Sequence, residues 1–329
     1  MGGSWPPGQA ISMTGRHQIL SLTGGGFRGV FTAGVLARCE SEWGVRCCDA
    51  FQLMAGTSVG GLLAAGLALG KSAAFLQETM HEHGMRIFPR QRFSGVRRLF
   101  GKAPYTTDSL RKAAIAVLGD QLDITLDHVT APLILTAVNY TLGKTECFRS
   151  RGVNRDFPST TRLIDAILAS AAAPTFFPTV KIGPYEFADG GLVANAPDLV
   201  ATIEALSKQN ADIQSIYMLS VGTAGFQDDI VTRQNPDNPG IIRSLWGRKL
   251  FTTTMSAQEN LTMHQIRTML GTRHLRLDKA PDHARQRIIR GLDNASENAF
   301  QALDQLAGEC LTQDLSGTDK ARLRDFFVH

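Results

Sequence analysis

"AFQLMAGTSVGGLLAAGLALG" (residues 50–70) carries no charged side chain over 21 positions, enough to cross a bilayer as one helix. The alternative is a buried strand, a sharp turn and a buried helix. Punctuation inside the run decides between them. Gly56, Thr57, Ser58, Gly60 and Gly61 break the apolar residues early, and Gly66 and Gly70 follow. Ala50–Met54 therefore reads as a strand, the glycine cluster as a turn and Val59–Ala68 as a small-residue helix. The run belongs to a folded core rather than to a membrane span.

Working outward, the same strand-then-helix rhythm recurs. Gln18–Leu22 precedes the helix-prone Val30–Glu40, and Leu133–Val138 and Ile216–Val221 are further apolar strand-like runs. This alternation predicts an α/β fold with a mainly parallel central sheet and helices on both faces. Asn139–Ser150, with Leu142-Gly143 between strand-like halves, reads as a hairpin at a sheet edge. From Thr252 to Phe327 the spacing turns mostly helical, through Leu261, Met269 and Leu270 and then Ala299, Leu303 and Leu306. No internal repeat is visible. The expected organisation is a disordered or vector-derived lead at 1–16, a catalytic core at 17–225, and a mostly helical extension at 226–329. The extension is expected to pack on the core as a candidate regulatory part.

Hydrophobic residues make up 43% of the 329 and charged residues 19%, a globular composition with ample core, far from the low-hydrophobicity, high-charge composition of disordered chains. A net charge of +4 is a mild bias and by itself calls for no DNA or RNA. The five cysteines are an odd number, and the adjacent Cys47 and Cys48 lack the C-x-x-C spacing of a zinc or redox site, so reduced cytosolic thiols are expected. The N-terminus has no basic region followed by an apolar stretch, hence no signal peptide is read there. Gly2 is not followed by the Ser or Thr at position 6 that myristoylation wants, because Pro6 stands there. His81 and His83 are two apart, off a common helix face and without a nearby Cys or Asp, so no metal site is expected.

Two glycine turns carry the chemistry. Gly56-Thr57-Ser58-Val59-Gly60 is a G-x-S-x-G between strand and helix, the setting in which a serine hydroxyl is lifted out of a sheet. "SLTGGGFRG" (21–29) satisfies G-x-G-x-x-G through Gly24, Gly26 and Gly29, and either a dinucleotide pyrophosphate or the oxyanion of an ester under cleavage would suit its bare N–H groups. An attacking serine needs a proton acceptor. His128, His264, His274, His283 and His329 are candidates for a triad. The rival is Asp189 in "EFADGGLVANAP" (186–197), at the end of a strand-like run and ahead of a helix start containing Pro197.

Four blocks in order, "GGGFRG" (24–29), "GTSVGG" (56–61), "ASAAAPTFFP" (169–178) and "DGGLVANAP" (189–197), resemble those of patatin-like phospholipases. The resemblance covers residues 17 to 225 and implies the patatin-like three-layer fold. It also implies a Ser58–Asp189 dyad for cleaving phospholipid acyl esters, with no cofactor and no metal. The backbone of Gly24, Gly25, Gly26, Phe27, Arg28 and Gly29 would then form the oxyanion loop, and Gly56, Gly60, Gly190 and Gly191 the supporting turns. Many members carry an acid where this chain has Thr23; since the donors are backbone groups, little effect is expected. Arg28 matches the family's basic residue, and Ala169–Pro178, which has no titratable group, is expected to pack near the dyad.

Two basic clusters suggest partners. Between His83 and Thr107 there are six Lys or Arg and no acid, interleaved with Phe88, Phe93 and Phe100; Arg92, Arg97 and Arg98 are the candidate contacts to a bilayer. The chain also resembles the patatin-type effectors of bacterial antiphage signalling, which implies activation by a cyclic dinucleotide. The candidate nucleotide contacts are Arg243, Trp246 and Arg248, joined by Lys249, Phe251, Arg267, Arg273 and Arg276. The protein is then expected in the cytoplasm, acting at the inner face of the membrane, with a homo-oligomer as a candidate state. Two other readings stand beside this one. A nucleotide-binding oxidoreductase would use the same Gly loop with Asp49 as its ribose acid, and a catalytically silent lipid- or nucleotide-binding module would use neither Ser58 nor Asp189.

Overall fold

The computed structural model describes residues 15–87, 105–150, 160–225 and 239–328, with the side chains of 85–87 and 239–248 left undescribed. Strand β1 (His17–Leu22) is buried at all but its first position. It is paired along both edges by parallel neighbours, β2 (Leu53–Thr57) on one side and β7 (Ile216–Val221) on the other, and helices cover both of its faces. Beyond β2 lies the parallel β3 (Leu133–Asn139), and beyond β7 the parallel β8 (His274–Leu277). An antiparallel flank completes the eight-stranded sheet. There β4 (Lys144–Arg149) pairs with β3, and β5 (Val180–Ile182) with β6 (Tyr185–Asp189). The expected hairpin is β3–β4, turned by Gly143 at φ +63°.

Strand pleating sends alternate side chains to two cores. Leu20 and Leu22 join the larger cluster, covered by α1 (Gly29–Trp43), α3 (Val59–Ala68), α4 (Ala73–Ile87), α5 (Thr107–Leu118) and α6 (Leu163–Ser170). Between α1 and β2 the short α2 (Cys47–Ala50) intervenes. Ile19 faces the other core with Leu53, Ala201 and Met218, under α8 (Asp198–Lys208) and the end of the long α9 (Pro239–Leu270). Every residue of α3 is buried, so the stretch that imitates a membrane span is a central core helix, apolar all round because protein surrounds it. No helix among the described residues is long and apolar enough to cross a membrane.

Two local differences from the sequence reading have physical causes. Ala50 ends α2 rather than opening a strand: Glu40 Oε1 accepts the Cys47 N–H at 2.9 Å and fixes a helical turn there, so β2 starts at Leu53. The C-terminal extension supplies an edge strand, β8, besides α10 (His283–Ile289), α11 (Glu297–Glu309) and α12 (Gly317–Arg324).

The register around β3 positions the site. A strand has two edges, and β3 has three partners. β4 runs along one edge from Ile134 to Asn139. The other edge is shared: β2 pairs with it as far as Thr57 opposite Thr136, and β6 takes over with Asp189 opposite Ala137. Two strands running in opposite directions thus meet end to end, and the residues at their tips are Thr57, just before Ser58, and Asp189.

Candidate active site

Ser58 sits at the carboxyl end of β2 with φ 56° and ψ −124°, a left-handed conformation rare for a side-chain-bearing residue. Such strain costs on the order of 1–3 kcal/mol and survives only where neighbours impose it. Several neighbours do so. The Ser58 N–H donates to Ser170 Oγ at 3.0 Å, and Thr57 Oγ1 contacts Thr136 Oγ1 and the Ala194 carbonyl, each at 2.6 Å. Gly60 packs its Cα against the Leu22 carbonyl of β1, where a Cβ has no room, and Gly56 lies against Gly60 in the same turn. The G-x-S-x-G glycines thus let α3 start directly under the strand ends.

Asp189 is 1% exposed. Its Oδ1 accepts the Gly191 N–H at 2.6 Å, whereas Oδ2 is buried without a hydrogen-bond partner. Burial pushes the carboxyl up to about 7, against the opposing pull of the Gly191 N–H and the neighbouring Ser58 hydroxyl. The hydroxyl is therefore close enough to act on the carboxyl, although the static geometry completes no hydrogen bond to Oδ2. Gly190 abuts Thr136 and opens α7 (Gly191–Ala194). The block Ala169–Pro178 does more than pack: the Ser170 and Ala172 carbonyls accept the N–H groups of Gly190 and Asp189 at 3.2 and 3.0 Å. One segment thus anchors both sides of the pair through its backbone and the Ser170 hydroxyl.

Facing them is the glycine loop after β1. Four of its six expected donors are engaged elsewhere. Gly24 N–H donates to the Asn195 carbonyl at 3.0 Å, Phe27 N–H to the Leu292 carbonyl at 2.8 Å, and Arg28 N–H to the Gly25 carbonyl at 3.3 Å. Gly29 N–H turns back to Gly26 and Phe27. Among the described residues the N–H groups of Gly25 and Gly26 carry no such bond, which narrows the candidate oxyanion donors to these two. Gly26 has φ +60° and lies against the Leu292 backbone, so no other residue type fits there without displacing it. Gly25, Gly26, Ser58 and Asp189 all open onto one cavity whose remaining wall is apolar, including Leu62, Leu110, Phe177 and Phe251. That is a site for an uncharged chain with its reacting bond at the polar end.

Behind the loop lies a buried polar network that sequence reasoning missed. Arg276 of β8, 8% exposed at its side chain, donates to Thr23 Oγ1 at 2.7 Å, Ser220 Oγ at 2.9 Å, Glu259 Oε1 at 2.5 Å and Asp278 Oδ2 at 2.9 Å. Thr23, where many family members carry an acid, thus ties the glycine loop to Arg276 through its hydroxyl. Next to it, Asp198 accepts from Ser21 Oγ at 2.7 Å and contacts His274 Nε2 at 3.2 Å. Burial alone would raise the Asp198 pKa, but His274, Arg276 and Ser220 hold it below the usual carboxylate range. These are the residue types of a triad in the wrong arrangement: the acid lies between the other two, and none of the three lines the cavity.

The remaining expectations divide. His128 bonds Thr125, and His264 and His283 are exposed; none lines the cavity. Asp49 is exposed on α2, at the start of β2 rather than at its end, so it cannot serve a dinucleotide held at the carboxyl ends of the strands. Arg276 is buried and occupied, Arg273 donates to the Ile213 and Ile216 carbonyls, and Phe251 is cavity wall; this removes Arg276 and Phe251 from the surface nucleotide contacts. Arg92, Arg97 and Arg98 lie outside the described residues, and Arg243, Trp246 and Arg248 fall in the first turns of α9, where side chains are undescribed. Among the described residues no group of His, Cys, Asp and Glu could hold a metal ion.

The family described as patatin-like phospholipase matches residues 20–202. A cGAMP-activated phospholipase of Escherichia coli (strain TW11681) is 31% identical across 95% of this chain and 93% of its own. One from Vibrio cholerae serotype O1 is 32% identical across 94% of each. Another, from Pseudomonas aeruginosa, is 32% identical across 88% of this chain and 87% of its own.

Proposed function

The chain belongs to the patatin-like phospholipase family and is a lipid acyl hydrolase, and we propose that Ser58 is its nucleophile and Asp189 its general base. Ser58 Oγ attacks the acyl carbonyl of a phospholipid while its proton passes to Asp189 Oδ2. The N–H groups of Gly25 and Gly26 take the charge that develops on the carbonyl oxygen. Collapse of the tetrahedral species expels the alcohol, which recovers the proton from Asp189. Water activated by the same carboxylate then releases the fatty acid from Ser58. The observation that carries this reading is the end-to-end meeting of β2 and β6. It sets a strained serine against a carboxyl that burial has moved to about 7, at the polar end of an apolar cavity.

A fluorophosphonate probe should label the wild-type chain and leave Ser58→Ala unlabelled, with ester hydrolysis in the variant down by about 10⁴-fold or more. Retained labelling of folded Ser58→Ala would reject the assignment. We further propose that a cyclic dinucleotide activates this chain and that it works on a bilayer from the cytoplasmic side. Support comes from relatives named for activation by cGAMP, whose similarity spans nearly the whole chain rather than the catalytic blocks alone. Added cGAMP should raise hydrolysis of phospholipid vesicles by the purified protein. Equal rates with and without it would remove the control and leave the hydrolase.

A further inference from the structure

Helix α9 turns one face toward the catalytic loops: Phe251 and Met255 line the cavity, and Gln258 and Glu259 follow one turn on. From that face one carboxylate reaches one of the two loops at the cavity floor directly and the other through Arg276. Glu259 Oε1 accepts from Arg276 Nη2 at 2.5 Å, and Oε2 accepts from Asn195 Nδ2 at 3.1 Å. Arg276 holds the glycine loop through Thr23 Oγ1. Asn195 holds the same loop through its carbonyl, which accepts the Gly24 N–H, and closes the segment that starts at Asp189. Gln258 adds a second grip, its Oε1 accepting the Asn195 N–H at 2.6 Å.

Charge neutralisation alone does not explain Glu259. Asp278 already pairs with Arg276 at 2.9 Å, and the half-buried Glu259 brings a second carboxylate to the same guanidinium, with the Arg28 charge also acting on it. Burial raises the pKa of Glu259 although Arg276 pulls the other way. What this carboxylate adds is its span, one oxygen to Asn195 and the other, through Arg276, to the glycine loop.

Resting on the Ser58–Asp189 reading, we propose that Glu259 and Arg276 are positioning residues that set the Gly25–Gly26 donors against the Ser58–Asp189 pair, so that the placement of α9 governs whether the oxyanion site is assembled. Donors aimed at a developing charge lose much of their effect when displaced by a fraction of an ångström to an ångström. A turn or slide of α9 moves Glu259, and with it both loops. The helix begins at Pro239, carries Arg243, Trp246 and Arg248 in its first turns and reaches the cavity at Phe251, so a single continuous helix leads from that basic segment to the chemistry.

The test uses the full chain, with and without cGAMP, on a soluble short-chain ester and on a fluorophosphonate probe. Glu259→Gln keeps the size of the side chain but has a single acceptor oxygen, and Thr23→Val keeps the shape of Thr23 without its hydroxyl. Both are expected to lower kcat and the labelling rate about tenfold or more with KM within about twofold, and Thr23→Ser should recover most of what Thr23→Val loses. Glu309→Gln, which breaks the 2.8 Å pair with Arg285 away from the cavity, serves as the control for loss of an ion pair and should change thermal stability without that kcat effect. Folded Glu259→Gln and Thr23→Val with kcat near wild type, or with losses that only follow stability as in Glu309→Gln, would overturn the clamp. Should Glu259→Gln fail to fold, Thr23→Val decides alone. An unlabelled wild-type chain would instead overturn the Ser58–Asp189 reading, and the clamp with it.

Discussion

At the scale of single residues, Asp189 carries opposing demands. As the proposed base it must be ionised, yet its surroundings favour the neutral acid and place its pKa at about 7 rather than 3.8. A base poised near the working pH is suited to accept a proton and return it. Hydrolysis of a soluble ester should therefore be weak below neutrality and rise with pH to a plateau, with a midpoint near 7 in kcat/KM. A flat profile from pH 5 to 9 would exclude Asp189 as the base. Stability should run the other way. A carboxyl whose folded pKa exceeds its unfolded one stabilises the fold fully below the unfolded value, and that contribution is lost as pH rises through about 7. Asp189→Asn keeps an acceptor for the Gly191 N–H and carries no charge. It should be inactive yet melt higher than wild type at pH 8, with the advantage shrinking toward pH 5. A lower melting point for the variant at pH 8 would mean that the buried carboxylate has stabilising partners beyond Gly191 and Ser58.

At the scale of elements, the decisive unit is β2, the Ser58 turn and α3, and Gly60 is its tightest point. Gly60→Ala drives a methyl into the Leu22 carbonyl, and overpacking of this kind costs roughly 1–3 kcal/mol. Because Leu22 leads into the glycine loop, activity should fall further than the loss of stability explains, measurable as labelling rate against urea midpoint. Equal activity per folded molecule would show that the turn tolerates the shift. The same unit shows what the sequence could reveal. Gly56, Gly60, Gly26 and Gly190 are legible because their backbones demand the absence of a side chain, and α3 spans Val59–Ala68 as its small-residue run predicts. Ser58 and Asp189 are legible through those glycines. Arg276 and Glu259 are not, because nothing local to either reports that Arg276 will meet Thr23, 253 residues away. β8 is hidden for a similar reason: four residues between helices make too short a run for periodicity to register, and pairing with β7 makes them a strand. Leu292 acts through its carbonyl, for which no side-chain pattern exists.

At the scale of the whole molecule, the region that resembles its family most plainly does not close its own site. Residues 20–202 supply Ser58, Asp189 and the glycine loop, but the carbonyl that fixes Phe27, the arginine that fixes Thr23 and the Phe251 wall all come from later in the chain. The last described residues return to the start of the sheet. Phe326 stacks on Phe51 with centroids 5.8 Å apart, Phe327 stacks on Trp43 at 5.1 Å and meets Phe51 edge-on, and the Phe326 carbonyl accepts from Gln18 Nε2 at 3.1 Å. This closure lies at the amino ends of β1 and β2, away from the catalytic turn at their carboxyl ends. It should therefore support stability without touching chemistry. Phe327, 2% exposed, should cost about 3–5 kcal/mol when cut to alanine, through lost burial and the cavity left behind. The urea midpoint of Phe327→Ala should fall accordingly, while kcat on a soluble ester, corrected for the folded fraction, should stay near that of wild type. A kcat loss in the folded variant would mean that strain at the amino ends of the strands is carried along β1 to the glycine loop. The sheet would then act as a mechanical part of the active site rather than as its frame.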